Sequence, residues 1–199
     1  MLSAAAIVIA QDQLTREWHG MPDAPHGASD PWAALVARQH RANFDLWHIE
    51  DEARTPGASD SRLADVKRRI DRTNQLRNDL AEQLDRTLLD WLGPQNLPNQ
   101  SAPLHSESPG LIIDRLSILA LKIYHTREEA ERSDASPDHA ARNRARLAIL
   151  EEQRADLAHC LDILWRETLA ATRRFKLYRQ LKMYNDPALN PAIYRNTPQ

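Results

Sequence analysis

The chain has a single cysteine, Cys160, among 199 residues. That excludes an internal disulfide and a multi-cysteine zinc site, and it fits a reducing compartment. Glycine is scarce at five residues and phenylalanine at two. Leu, Ala, Arg, Asp and Glu are abundant instead, a balance that favours helix over strand. Neither charge sign dominates: 26 basic and 28 acidic side chains nearly cancel, so no nucleic-acid or anionic-membrane surface is indicated, and no acidic run marks a disordered tail. No apolar run approaches the roughly 20 residues of a membrane span. Residues 2–10 have about the length of a signal-peptide core, but no basic segment precedes them, and 11–14 continue a helical pattern toward Trp18. An ordinary first helix and a cytoplasmic protein are expected. Also missing are a Gly-rich phosphate loop, a Gly-x-Ser-x-Gly elbow and paired Glu-x-x-His motifs. No Cys/His spacing resembles a zinc site.

What is present divides into helices by proline and capping residues. A first helix is expected over 3–19, followed by a loop over 20–30 with Pro22, Pro25, Gly27 and Ser29. Asp30-Pro31 supplies an N-cap and a proline at the first helical position. It opens a second helix to about Arg54, stopped by Pro56-Gly57. Asp60 or Ser61 caps a third helix that ends at Gly93-Pro94. After a connector with Pro94, Pro98 and Pro103, Ser108-Pro109 starts a fourth helix that extends through 127–132, and Ser136-Pro137 a fifth that reaches Thr172 or Tyr178. Beyond Tyr184, prolines preceded by Asp and Asn resist helix and give an irregular tail. The expectation is all-α: an antiparallel bundle of four to five helices forming one domain. A short helix and loop occupy 1–30, the bundle core 31–182 and the tail 183–199.

The fourth helix organises the rest. From 111 to 124 it is apolar on every side except at Asp114, Arg115, Ser117 and Lys122. Such a helix is normally buried, and unpaired buried charges are costly, so its neighbours should supply partners. In the second helix Val36, His40, Asn43, Trp47, Glu50 or Asp51, and Arg54 follow one stripe at 3- and 4-residue steps. In the third, Arg77 interrupts the seam of Val66, Ile70, Leu80, Leu84 and Leu88, flanked by Lys67, Asp71, Asn74 and Asn78. In the fifth, Arg154 interrupts the seam of Leu147, Leu150, Leu157, Leu161 and Leu164. Polar groups recurring on inward faces point to an internal polar site; the alternative is a set of ion pairs that fix helix register.

Four stretches together resemble a bacterial family catalogued as domain of unknown function 4254: residues 40–54 (HRANFDLWHIEDEAR), 67–79 (KRRIDRTNQLRND), 107–122 (ESPGLIIDRLSILALK) and 182–191 (KMYNDPALNP). The resemblance implies gene neighbourhoods rich in glycosyltransferases for envelope polysaccharide. It therefore suggests a sugar phosphate or nucleotide-sugar as ligand, handled in the cytoplasm or at the inner-membrane surface.

On this reading an internal pocket binds or acts on a phosphorylated or carboxylated small molecule. Arg54, Lys67, Arg77, Arg115 and Lys122 would grip the anion, because guanidinium and ammonium groups suit carboxylate and phosphate. His40, Glu50, Asp51, Asp71 and Asp114 would supply acid–base chemistry or hold Mg²⁺. Asn43, Asn74 and Asn78 would fix hydroxyls, and Trp47 would offer a flat face to a sugar or base. The competing expectation is a non-enzymatic adaptor, a homodimer or partner of a glycosyltransferase, whose buried charges are structural.

Overall fold

The computed structural model describes residues 2–21 and 30–179. Residues 22–29 of the expected loop over 20–30, the resembling stretch at 182–191 and the irregular tail lie outside the described residues. Five helices are present: α1 (Ala4–Gly20), α2 (Pro31–Glu52), α3 (Asp60–Leu92), α4 (Pro109–Glu131) and α5 (Pro137–Leu169). The fold is a helical bundle, with no named strand among the described residues. An isolated parallel bridge, Leu104 to Arg174, ties the α3–α4 connector to the chain after α5.

The helix starts follow from side-chain capping. Asp30, Ser108 and Ser136 accept from the backbone N–H of Ala33, Leu111 and His139, and each is followed by proline. A side-chain oxygen there satisfies one of the N–H groups the helix leaves orphaned. For α3 the cap is Ser59, which accepts from Arg62, rather than Asp60 or Ser61. α5 ends at Leu169, short of Thr172. The chain turns there through Ala171 at φ 61°, and the backbone N–H groups of Thr172 and Arg173 return to the Glu167 carbonyl.

α4 packs against each of the other four helices. Ile112, Ile113, Leu116, Ala120, Leu121 and Ile123 are all buried, each large one stabilising the fold by roughly 1.5–3 kcal/mol. Of its charged residues in this stretch only Asp114 is inside; Arg115 and Lys122 occupy the exposed strip. The start of α4 lies hard against α3. A Cβ on Gly110 would collide with the Ala81 carbonyl oxygen, and the Gly110 N–H donates to Asp85 Oδ1 at 2.6 Å. Burial pushes the Asp85 carboxyl up to about 6.

Helices α2 to α5 alternate in direction. Glu52, at the end of α2, pairs with Arg69 near the start of α3, and Glu129, near the end of α4, with His139 at the start of α5. α1 departs from that alternation. Thr15 meets His40 and His19 lies by His48, while Gln11 bonds the Ile113 carbonyl and His19 stacks on Tyr124. α1 therefore runs parallel to both α2 and α4, and residues the same distance along these three helices share a layer.

Candidate functional site

The centre of the polar interior is Asp114, buried on α4. Its Oδ1 accepts from Gln39 Nε2 at 2.6 Å, Asn43 Nδ2 at 3.0 Å and Arg77 Nε at 2.7 Å. Its Oδ2 accepts from Arg77 Nη2 at 2.5 Å. This forked pair is the geometry in which a guanidinium binds a carboxylate best, and that bond holds Arg77 above its ordinary pKa. Asn43 Nδ2 also donates to Ser117 Oγ at 2.9 Å.

His40, expected to carry protons for a ligand, is fully buried and committed elsewhere. Thr15 Oγ1 donates to the Gln11 carbonyl at 2.8 Å, so it accepts from His40 Nε2–H at 2.9 Å. Nδ1 then accepts from Ser117 Oγ at 2.7 Å. Burial drives the His40 pKa down to about 3. The ring is a neutral structural hub with both nitrogens used, and it lines none of the clefts described below.

Two clefts flank Ile118. The one on the Trp47 side, about 440 Å³, brings together Asn43, Trp47, Glu50, Asp51, Arg54 and Arg77 with Leu46, Ile118 and Leu121. The Trp47 ring lies flat against His125, centroids 4.8 Å apart and planes 9° from parallel, which fixes the indole as a wall. Arg54 bonds the Glu50 carbonyl at 2.8 Å and approaches Asp51 at 3.4 Å. The other cleft, about 750 Å³, lies between α4 and α5 and contains Arg115 and Lys122 with His105, Ser106, Glu107 and Gln153 among its walls. Arg115 there bonds both Glu107 oxygens, at 2.9 and 2.7 Å.

The anticipated residues thus fall into separate places. Asn43, Trp47, Glu50, Asp51, Arg54 and Arg77 share one cleft, with Asp114 behind Arg77; Arg115 and Lys122 share another. Lys67 and Asp71 form a pair at 2.6 Å outside both. Asn74 and Asn78 are half-buried on α3, also outside both. Arg154 pairs with Asp12 of α1 at 2.5 Å. One continuous pocket holding all of them does not form.

Two turns beyond the Asp114 network, three histidines that no sequence pattern joins come together. His19 on α1, His48 on α2 and His125 on α4 each place a ring nitrogen within 4.8 Å of the others. Each Nδ1 is already engaged: His19 with the Thr15 carbonyl at 2.7 Å, His48 with the Phe44 carbonyl at 2.8 Å, His125 with Glu128 Oε2 at 3.0 Å. A carbonyl can only accept, so Nδ1 carries the proton in His19 and His48. The Nε2 atoms of His19 and His125 are buried without a hydrogen-bond partner among the described residues. Burial first, and the neighbouring His19 and His48 rings in addition, hold His125 below its ordinary pKa against the opposing pull of Glu128. His19 and His48 line a third cleft of about 480 Å³, with Arg41, Asp45, Glu52, Arg69 and Thr73.

The family model described as Protein of unknown function (DUF4254) matches residues 33–177. The chain belongs to this family. No curated protein and no solved structure matches it. The DUF4254 match takes in α2 from Ala33 onward and α3 to α5, hence the Arg77–Asp114 pair, both clefts beside Ile118, and His48 and His125. α1, which contributes Gln11, Thr15 and His19, precedes the matched segment. Among the described residues no helix is long and apolar enough to cross a membrane.

Proposed function

We propose that the Trp47 cleft binds a small phosphorylated or carboxylated molecule, with a sugar phosphate or nucleotide-sugar of envelope polysaccharide synthesis in the cytoplasm as the favoured class. The observation that carries this reading is the placement of Arg77. A buried carboxylate with two amide donors fixes one edge of its guanidinium, at 2.5 and 2.7 Å, on the wall of a cleft that also holds Arg54 and a stacked indole. A pre-oriented guanidinium loses little entropy on gripping an anion. Trp47, Leu46, Ile118 and Leu121 give a sugar or base an apolar bed, and Glu50 and Asp51 could share Mg²⁺ with a phosphate. The resemblance to a family found beside glycosyltransferase genes supports the choice of ligand class.

Thermal-shift titration with nucleotide-sugars, sugar phosphates and carboxylated sugars, with and without Mg²⁺, tests this. A member of the series should raise Tm. Arg54→Ala, whose side chain is 68% exposed, should weaken that ligand tenfold or more without changing the unliganded Tm. No shift with any of them in the wild type sinks the reading; loss of binding in Lys122→Ala rather than Arg54→Ala moves the site to the α4–α5 cleft. An adaptor role is the second reading, favoured by the mutual pairing of Arg77 and Asp114, which a purely register-setting charge pair requires. It expects no ligand and a stable complex with a glycosyltransferase or a second copy.

A further inference from the structure

We propose that His19, His48 and His125 form a binding site for one divalent transition-metal ion of the zinc class. The proposal is independent of the anion in the Trp47 cleft. Three features of the geometry carry it.

The first is tautomer. With Nδ1–H donated to the Thr15 and Phe44 carbonyls and Nδ1 of His125 set against Glu128, the Nε2 atoms present the lone pairs. Orientation of a ligating imidazole by a carbonyl or carboxylate on its far nitrogen is the usual support for a metal-bound histidine. Glu128 is itself tied to the Tyr124 hydroxyl, and Tyr124 stacks on His19 with ring centroids 4.2 Å apart.

The second is spacing. A tetrahedral ion with metal–nitrogen bonds of about 2.1 Å holds three imidazole centres roughly 5 Å apart. The observed centroid separations are 5.2 Å for His19–His48, 4.9 Å for His19–His125 and 6.1 Å for His48–His125. The rings are splayed at 51°, 74° and 66° rather than stacked on one another, as around a shared centre. The ring nitrogens, within 4.8 Å of one another, would close to the roughly 3.4 Å that such an ion requires on binding it.

The third is the orphaned atoms. His40 finds partners for both nitrogens. Here Nε2 of His19 and of His125 are both buried and unpartnered, a cost of roughly 1–3 kcal/mol each that metal coordination would remove. Neutral imidazoles select Zn²⁺, Co²⁺, Ni²⁺ or Cu²⁺ over Mg²⁺ and Ca²⁺, which prefer oxygen. Three protein ligands leave a coordination position for water or a substrate, and the third cleft gives both a route in past His19 and His48.

The test uses tag-free full-length protein, stripped with a chelator and titrated with Co²⁺. The expected result is one Co²⁺ per chain with the intense visible d–d bands of a four-coordinate site, displaced by Zn²⁺ and not by Mg²⁺. His48→Ala and His125→Ala should each lose affinity at least a hundredfold, and Glu128→Gln tenfold or more through the ring it orients. His159→Ala, on the exposed face of α5, should bind as wild type. Helical circular dichroism of each metal-free variant confirms folding, and the wild-type titration stands without any variant. Folded wild-type protein with no cobalt bands, or cobalt binding that persists in folded His48→Ala, overturns the proposal.

Discussion

His40 and the His19–His48–His125 cluster are built from the same three parallel helices, one layer eight residues beyond the other. Gln11, His40 and Ser117 become His19, His48 and His125 at the next layer. The two layers use the imidazole in opposite ways. In the first, Thr15 forces the proton onto Nε2 and Ser117 takes the remaining lone pair, so the ring is neutral and fully satisfied. In the second, the helix's own carbonyl four residues back takes the Nδ1 proton in His19 and His48, and Nε2 is left with the lone pair. An imidazole with both nitrogens paired contributes uniqueness to a core, whereas one with an unpaired nitrogen stores capacity for a ligand.

The sharpest way to break this contrast is pH. The folded pKa of His40, about 3, lies below the 6.5 of the unfolded chain. The unfolded state therefore binds more protons between those values, and stability rises with pH across that window. The His40 contribution should be fully present above pH 6.5 and lost on acidification toward pH 3, a change of roughly 5 kcal/mol. Asp85 acts with the opposite sign: its folded pKa is raised from 3.8 to about 6, so its contribution is lost as pH rises through that range. Urea unfolding in an Asp85→Asn background should expose the full His40 slope, and His40→Gln should flatten it. A slope in that background unchanged by His40→Gln would mean that the ring takes up a proton as readily in the fold as in the unfolded chain.

Next in size is the Asp114 network. Arg77→Ala leaves a buried carboxylate without its cation and should cost about 3 kcal/mol in urea unfolding at pH 7. Arg77→Met combined with Asp114→Leu should recover most of the loss, since no charge is then left buried. Recovery would show that the pair is dispensable for folding and free to serve a ligand.

The histidine layer should respond to metal and hardly to mutation. Zinc at a hundredfold excess over its Kd should stabilise the wild type by about 2.7 kcal/mol, read as a rise in Tm that a chelator reverses. Without metal, His48→Ala should change stability least of all, by about 0.5 kcal/mol or less, because the side chain is only partly buried and its hydrogen bond is to its own helix. A large loss there would recast the cluster as ordinary packing.

Much of this architecture was legible beforehand for local reasons. Ser or Asp followed by proline sets a helix start through one side-chain hydrogen bond and one fixed φ, and Asp30, Ser108 and Ser136 do so. The all-round apolar character of 111–124 marked a helix buried among the others. Asp114 and Arg77 stand out because each breaks an apolar seam at helical spacing. Arg115 and Lys122 misled, since seven residues apart on an apolar helix reads as inward when that face is in fact the strip left open beside α5. His40 was anticipated as polar and inward, but periodicity places a ring without showing what saturates its nitrogens.

The sequence alone determined the helices, the caps at Asp30, Ser108 and Ser136 and which seams carry polar residues, because those depend on contacts within a few residues. Only the tertiary structure decided that α1 runs parallel to α2 and α4. That direction brings residues 19, 48 and 125 into one layer, although nothing in their separation along the chain relates them. It also decided the fate of each imidazole, since the proton settles on whichever nitrogen faces an acceptor, and that acceptor is fixed only once the helices have packed.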